Sequence, residues 1–267
     1  MSPESGRMTT APPGHLLQRL VAGPTLVSHV LWLDRVDSTN AEVTRRAADA
    51  AEGLLVMADE QSAGRGRQGR SWQAPPGTSL MGSLLLRPTG TIEHVALLPL
   101  LIGLALLEAG ETMMSGAQLS LKWPNDLLAE GRKCAGILVE VPATGVVVAG
   151  FGVNVDWRTV QRPSALATTT SLSEVGRGRV DRWQLLSVMI DRLDHRYRAW
   201  RTNPRGFLPT YRERCATLGQ PVRVTQLEGR EIVGTAVRVT DDGGLLVDTN
   251  GSNVTVRAGD VHHLRHR

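Results

Sequence analysis

Residues 61–72 constrain the fold of this chain more than any other segment, because glycines and arginines alternate there and Trp72 closes the run. The glycines are Gly64, Gly66 and Gly69, and the arginines are Arg65, Arg67 and Arg70. Glycine permits positive φ angles and close approach of the backbone to a ligand, and each arginine offers a planar charged fork to phosphate or carboxylate oxygens. The segment therefore predicts an anion-wrapping loop between strands over residues 54–58 and 79–86.

Three other interpretations of this loop compete with the anion site. The glycine spacing matches the G-x-G-x-x-G dinucleotide fingerprint, but Pro75, Pro76 and Gly77 block the helix that this fingerprint requires. An arginine–glycine tract that holds RNA normally lies in repetitive sequence, whereas this one occurs once between apolar runs. A solvated basic loop without any ligand stays open as the third interpretation.

The composition is that of a folded globular protein with one large domain, or one large and one small. Only two cysteines occur, Cys134 and Cys215, without metal-binding spacing, which argues against a disulfide framework or a zinc site and favours a cytoplasmic location. The formal net charge of +4 is too small to indicate a nucleic-acid footprint by itself.

Neither the N-terminal residues nor the longest apolar run indicates export or insertion into a membrane. Residues 1–13 lack the apolar core of a signal peptide and are expected to be a disordered leader. The longest apolar run, residues 95–107, contains Pro99 and is too short to span a bilayer, so we expect a buried core helix and no membrane partner.

Short strands separated by turns dominate the rest of the pattern. A helix is expected after Ser38, which is a plausible N-cap, and a longer one over residues 181–200. A strand over residues 119–123, a hairpin formed by residues 127–128 and 133–141, and a further strand over 146–155 indicate an α+β fold with a mainly antiparallel sheet. Short β-rich pieces after residue 218 predict a small C-terminal β-barrel. The predicted divisions are a leader with a short helix over 1–28, a catalytic domain over 29–217 and the barrel over 218–267.

A second group of polar residues is expected to join the loop. Lys122, Asn125 and Asp126 lie at a strand-end turn that contains Pro124, and Lys133 follows on the next hairpin. Several cations with one carboxylate and one amide suit a polyphosphate with Mg²⁺, which prefers oxygen ligands and usually shares them with substrate phosphates. Asp126 is the candidate magnesium ligand. No Walker A sequence is present, so a nucleotide would not be held as in P-loop proteins.

These motifs, in their order and approximate spacing, resemble those of biotin protein ligases. The blocks that carry the resemblance are Asp37-Ser38-Thr39-Asn40, residues 61–72, residues 122–127 (KWPNDL), residues 132–140 (RKCAGILVE) and residues 150–155 (GFGVNV). The resemblance extends from about residue 30 to the C-terminus, where the β-rich segment is similar to the family's SH3-like domain. It implies a class II synthetase-like biotin/lipoate ligase catalytic fold.

The resemblance also implies an activity and a set of site residues. Biotin and Mg-ATP would give biotinyl-5′-AMP and pyrophosphate, and a lysine of a biotin carboxyl carrier protein, such as that of acetyl-CoA carboxylase, would then accept the biotin. Lys133 and Arg67 are the expected catalytic residues. Expected at biotin are Ser38, Thr39, Asn40, Gln61, Gly64, Arg65, Gly66, Arg67, Lys133 and Gly136; expected at ATP or the adenylate are Arg67, Arg70, Trp72, Lys122, Asn125 and Asn154.

Two alternative functions stay open, and a DNA-binding module is expected to be absent. A lipoate or octanoate ligase of the same superfamily is the nearest enzyme alternative, and a small basic nucleic-acid-binding protein is the non-enzyme one. Fewer than 40 residues precede Ser38, which is too few for the winged-helix repressor module of some biotin ligases. A monofunctional ligase without specific DNA binding is therefore expected.

Overall fold

The computed structural model describes residues 11–23, 25–114, 116–162, 164–176, 178–226 and 229–264. Most of the expected leader, residues 1–10, lies outside the described residues. The helices are α1 Gly14–Val21, α2 Thr39–Arg46, α3 Ile92–Val95, α4 Leu98–Met113, α5 Leu172–Val175, α6 Arg182–Thr202 and α7 Leu208–Glu213. The strands are β1 His29–Val36, β2 Leu54–Gln61, β3 Ser79–Leu86, β4 Leu119–Lys122, β5 Asp126–Ala129, β6 Arg132–Ala143, β7 Val146–Asn154, β8 Pro221–Thr225, β9 Glu231–Val239, β10 Leu245–Asp248, β11 Asn253–Val256 and β12 Asp260–His263.

A seven-stranded sheet forms the centre of the fold, in the order β1-β2-β3-β7-β6-β5-β4. β1 and β2 are parallel, because α2 carries the chain back between them, and the other neighbours are antiparallel. The α+β prediction with a mainly antiparallel sheet is confirmed.

The two faces of this sheet bury different residues of the same strands. Along β2, Leu55 and Met57 belong to the main core with α4 and α6, whereas Leu54 and Val56 pack in a smaller cluster with Val43 of α2. This alternation is the period-2 pattern of a strand that is covered on both sides. The sheet therefore lies between one layer of long helices and the short helix α2.

The apolar run is a buried helix, as predicted. α4 begins with Pro99 in its first turn, where proline's missing N–H is not needed, and its residues are buried on nearly all sides. By length and composition the stretch Ile92–Met113 could cross a bilayer, but 67% of its apolar window lies inside the fold. It therefore serves as the core helix.

The C-terminal segment is a five-stranded antiparallel sheet in the order β11-β10-β9-β8-β12. The small β-domain is confirmed, but no ladder closes β11 onto β12 within the described residues, so it is an open sheet rather than a closed barrel. β12 was missed in the sequence. It forms because Val261 and His263 pair with Val224 and Val222 of β8.

The C-terminal sheet packs against the strand-end turn of the central sheet. Trp123, which is fully buried, donates from Nε1 to the carbonyl of Gly243 at 2.8 Å, and its backbone N–H donates to Thr217 Oγ1 at 3.1 Å. Arg212 adds a bond from Nε to the carbonyl of Val239 at 2.8 Å. These contacts place the turn between β11 and β12 beside the predicted ligand loop.

A buried ion pair ties α6 to β2, and its carboxylate also contacts the turn that follows the ligand loop. Arg182 Nη1 lies 2.8 Å from Asp59 Oδ1, and both side chains are only about a tenth exposed. The same carboxylate oxygen accepts from the backbone N–H of Gly77 at 3.2 Å. Removing one partner of a buried pair leaves an uncompensated charge, which usually destabilises more strongly than loss of an exposed pair.

We expect Arg182→Leu to lower the free energy of unfolding by about 3 kcal/mol, the scale for a broken buried ion pair. Arg19→Leu is the matched control, since the Arg19–Asp191 pair is well exposed and its loss should cost less than about 1 kcal/mol. Urea unfolding of both variants measures the difference. Equal midpoints for the two variants would show that the Asp59 pair does not stabilise this junction.

Candidate functional site

The glycine–arginine segment folds as a small hairpin-like arch. The backbone N–H of Gly66 donates to Arg70 O at 2.7 Å, and that of Trp72 donates to Gly64 O at 2.8 Å. The arch turns at Gln68 and Gly69, whose φ angles are 54° and 72°. A methyl group on Gly64 would lie 2.5 Å from the carbonyl oxygen of Trp72, so glycine is required for the arch to close. The prediction of a loop between β2 and β3 is confirmed, and backbone hydrogen bonds order this loop.

The arch covers a cavity of about 220 Å³ above the central sheet. Most of the predicted site residues line this cavity: Ser38, Thr39, Asn40, Gln61, Arg65, Gly66, Arg67, Arg70, Trp72, Asn125, Lys133, Gly136 and Asn154. Gly64, Lys122 and Asp126 do not lie on its wall; Gly64 closes the arch, and the other two lie behind Lys133 on the β4–β5 hairpin. The sequence motifs thus meet in one place.

Short polar side chains form one end of the cavity, at the start of α2. Ser38 is the residue before this helix but makes no capping bond, so the simple capping interpretation of its hydroxyl is wrong. Gln61 instead caps the helix: its Oε1 accepts from the N–H of Thr39 at 2.8 Å and from Thr39 Oγ1 at 3.2 Å. The Ser38 side chain lines the cavity.

Cations form the other end, and each has an acceptor within the protein. Lys133 Nζ lies 2.7 Å from Asp126 Oδ1. Arg67 Nη1 donates to Asn125 Oδ1 at 3.2 Å and to Gly259 O at 3.3 Å, and Arg70 Nη2 pairs with Asp260 Oδ1 at 2.5 Å. Gly259 and Asp260 come from the C-terminal sheet, so that domain contributes directly to this end of the site.

A strand irregularity places Lys133 at this end. The register between β5 and β6 shifts at Leu127/Leu128, so that Lys133 pairs with Leu128 while Ala135 pairs with Leu127. A bulge of this kind redirects a side chain relative to a regular ladder. Its ammonium group lies 5.8 Å from the centroid of the Trp72 ring.

Burial shifts the acid–base properties of the neighbouring groups. It lowers the pKa of Lys122, and the nearby charge of Lys133 lowers it further, while Asp126 and Asp260 oppose the shift. Burial also lowers the pKa of the Arg67 guanidinium, which nevertheless stays charged because arginine starts so high. The buried thiols of Cys134 and Cys215 have raised pKa values and stay protonated, so neither is an activated nucleophile.

Trp72 and Asn154 leave buried polar atoms without partners at the cavity. Trp72 Nε1 and Asn154 Oδ1 have no hydrogen-bond partner among the described residues, although the Asn154 amide nitrogen donates to Thr170 O at 2.9 Å. Buried polar atoms are rarely left unsatisfied in a folded protein. One donor and one acceptor are therefore available to a bound molecule.

Several cavity residues were missed in the sequence. They are Ser71, Gln73, Ile137, Leu138, Gly150, Phe151, Gly152, Trp157, Leu166 and Thr169. Those on β6 and β7 belong to the motif blocks that carry the family resemblance, and those blocks are the signal that could have found them. Trp157, Leu166 and Thr169 come from an irregular segment whose sequence carries no periodic signal; Thr169 reaches the site through a bridge to Lys133.

No group of three or more His, Cys, Asp or Glu side chains in the described ranges converges to hold a metal ion. The site instead combines hydroxyls and an amide at one end with arginines and a lysine at the other. Such a site suits an elongated ligand with a neutral polar head and a strongly anionic partner.

Comparison with known proteins defines the class. Residues 32–156 match the Biotin/lipoate A/B protein ligase family, and residues 217–264 match the Biotin protein ligase C terminal domain. The solved biotin protein ligase from Aquifex aeolicus, in complex with biotin and ATP, aligns with a TM-score of 0.77 at 28% identity, over 90% of this chain and 100% of that one.

Curated relatives narrow the class to a family. The biotin--[acetyl-CoA-carboxylase] ligase of Mycobacterium tuberculosis is 39% identical over 85% of this chain and 86% of its own length. The enzyme of the same name from Paracoccus denitrificans is 35% identical over 86% of this chain and 98% of its length. The chain belongs to the biotin protein ligase family.

The indole of Trp72 depends on a glycine beneath it. A methyl group on Gly152 would lie 2.5 Å from Trp72 Cε2, which is closer than carbon atoms pack. We expect Gly152→Ala to displace this ring, cost about 1–3 kcal/mol of stability through overpacking, and weaken ligand binding at the cavity. Gly178→Ala is the control, because a methyl group there meets nothing within 4 Å. Thermal unfolding measures the loss of stability, and the KM for ATP measures the loss of binding. An unchanged KM for ATP in folded Gly152→Ala protein would contradict the expected position of Trp72 at the nucleotide.

Proposed function

We propose that this chain is an ATP-dependent biotin protein ligase that works in two steps through one cavity. A biotin carboxylate oxygen attacks the α-phosphorus of ATP, the bond from that phosphorus to pyrophosphate breaks, and biotinyl-5′-AMP forms. The amine of a carrier lysine then attacks the acyl carbon, AMP leaves and the nitrogen loses a proton. The observation that carries the proposal is the cavity with a neutral polar end at α2 and a cationic end at Lys133, Arg67 and Arg70.

The neutral end is proposed to take the biotin ureido ring. Ser38, Thr39, Asn40 and Gln61 offer hydroxyl and amide groups to a ring that is polar but uncharged, and burial makes an unmatched polar partner costly. Gly136 on β6 and Arg65 with Gly66 in the arch would line the rest of the biotin. Gly64 would contribute through the shape of the arch rather than through contact, since it lies off the cavity wall.

The cationic end is proposed to hold the reacting groups. A carboxylate and a phosphate repel each other, and fixed positive charges lower the barrier where negative charge accumulates at phosphorus. Lys133 and Arg67 are the proposed catalytic residues. Arg70, Trp72, Asn125 and Asn154 are proposed on the nucleotide side, with the unpartnered atoms of Trp72 and Asn154 available to the adenylate. Lys122, behind the wall, would act through the local field.

Magnesium is proposed to arrive with ATP. The donor set fits an ion held mainly by nucleotide phosphates, with Asp126 as the protein carboxylate, because Mg²⁺ commonly uses one or two carboxylates and otherwise phosphate and water oxygens. When bound, it neutralises phosphate charge. Asp126 is paired with Lys133 at 2.7 Å, so the lysine compensates this carboxylate whenever no cation does.

The acceptor is proposed to be a biotin carboxyl carrier protein, as the names of the relatives from M. tuberculosis and P. denitrificans indicate for those enzymes. Both cysteines are free thiols, which supports the proposed cytoplasmic location. The expected lack of specific DNA binding stays a prediction.

A pyrophosphate-release assay separates the candidate activities. With Mg-ATP we expect release with biotin and none above background with lipoate, octanoate or no acid, because the polar end matches a ureido ring and not an alkyl chain. Transfer is checked with a carrier domain and its lysine-to-arginine variant. Pyrophosphate release that depends on lipoate or octanoate would instead indicate a lipoate or octanoate ligase of the same superfamily. If none of the acids increased the release, the chain would not be a ligase of this kind.

We expect Lys133→Ala to keep the fold and lose roughly 10²-fold or more of adenylate formation, the scale for removing one group that stabilises developing charge. Arg132→Ala is the matched control, since Arg132 is the preceding residue of β6 and is exposed. Single-turnover formation of biotinyl-AMP is the measurement, with thermal unfolding as a check on the fold. Unchanged turnover in the folded Lys133 variant would shift the role to Lys122.

A further inference from the structure

The last residue of the RKCAGILVE block, Glu140, has no part in the site described above. It lies on β6 outside the cavity wall and borders a shallow surface depression next to Arg65. Its Oε2 atom accepts from Asn40 Nδ2 at 2.6 Å and from Arg65 Nη2 at 3.0 Å. One carboxylate oxygen therefore contacts both the polar end of the cavity and the arch.

The contact from Glu140 continues through buried side chains. Asn40 is 4% exposed, and its Oδ1 accepts from Ser83 Oγ at 2.5 Å. Ser83 is fully buried on β3 and its Oγ also lies 2.7 Å from Thr39 Oγ1, while the backbone N–H of Thr39 donates to Gln61 Oε1 at 2.8 Å. Gln61 and Arg65 are four residues apart at the start of the arch. The hydrogen bonds thus form a ring that begins and ends in the ligand loop.

This ring fixes the orientation of the Asn40 amide. Its nitrogen faces Glu140 and the carbonyl of Leu138, and its oxygen faces Ser83, so a rotated amide would place like atoms against each other. Satisfied buried networks of this kind hold side chains in a single arrangement. The polar end of the cavity is thereby preorganised by Glu140 from one side and Ser83 from the other.

Global stability does not explain the Arg65–Glu140 pair. The two side chains are 44% and 31% exposed, and ion pairs at such positions contribute at most about 1 kcal/mol. Its effect is local, because Arg65 belongs to the arch, whose other two arginines are bonded on the far side to Asn125, Gly259 and Asp260. The pair anchors the side of the arch that faces the polar end.

We propose that Glu140 is a positioning residue that couples the biotin-head pocket to closure of the arch, an inference that rests on the proposed function. Its charge holds Arg65 and thus the closed arch over the adenylate. Its acceptor oxygen orients Asn40 and thus the head pocket. The two roles use different properties of one carboxyl group, so they can be separated by substitution.

Glu140→Gln keeps an acceptor for Asn40 but removes the charge that holds Arg65. We expect biotin KM to stay within about threefold, while biotinyl-AMP escapes from the enzyme roughly five- to tenfold faster without a carrier, because a charged hydrogen bond is weakened. Glu140→Ala removes both properties and should raise biotin KM roughly tenfold as well as accelerate escape. ATP KM should change little in either variant.

Glu231→Gln is the matched control, since it removes a comparable exposed pair with Arg223 between β9 and β8. Escape and biotin KM equal to wild type in both Glu140 variants would overturn the proposal. The same holds if both variants only lower the melting temperature, since that is the signature of a structural pair.

Hydrogen exchange at the Gly66 and Trp72 amides, measured without ligands, tests the loop role apart from activity. Faster exchange in Glu140→Gln than in Glu231→Gln supports the coupling, and equal exchange contradicts it. If wild type releases no pyrophosphate with biotin, the proposed function fails while this exchange result still decides whether Glu140 holds the arch.

Discussion

The site depends on holding four cations close together. Arg65, Arg67, Arg70 and Lys133 line one cavity, and their mutual repulsion would open the arch unless each had an acceptor. The acceptors come from separate parts of the fold: Glu140 on β6, Asn125 and Asp126 on the β4–β5 hairpin, and Gly259 with Asp260 before and in β12. The positive site is therefore stable because the surrounding elements supply matched oxygens.

This arrangement makes the C-terminal sheet part of the framework around the cavity. Its β11–β12 turn reaches two arginines of the arch, while Trp123 and Arg212 fix the position of that sheet through bonds to Gly243 and Val239. A charged ligand would replace protein oxygens as partners of the same arginines. Binding at the cationic end thus involves exchange of hydrogen bonds rather than simple filling of an empty pocket.

Close approach between side chains and strand backbone shapes the rest of the cavity. The Trp72 ring lies against Gly152, and the Asn40 amide lies between Glu140 and Ser83. These contacts join β3, β6, β7 and the start of α2, which are adjacent only because the sheet order places β3 next to β7. Each motif block taken separately contains residues that line the cavity, but it does not show which residues orient them.

The sequence by itself determined the loop between β2 and β3, the α+β class, the buried helix α4 and most of the cavity-lining residues, since glycine, proline and hydrophobic periodicity act locally. It also carried the family through its ordered motifs. Only the tertiary structure decided that Gln61 rather than Ser38 caps α2, that Asp126 pairs with Lys133 off the cavity wall, and that Glu140 and Asp260 meet arginines of the arch. Those outcomes depend on which strands become neighbours and at what register, and pairing between distant segments leaves no periodic signal in the chain.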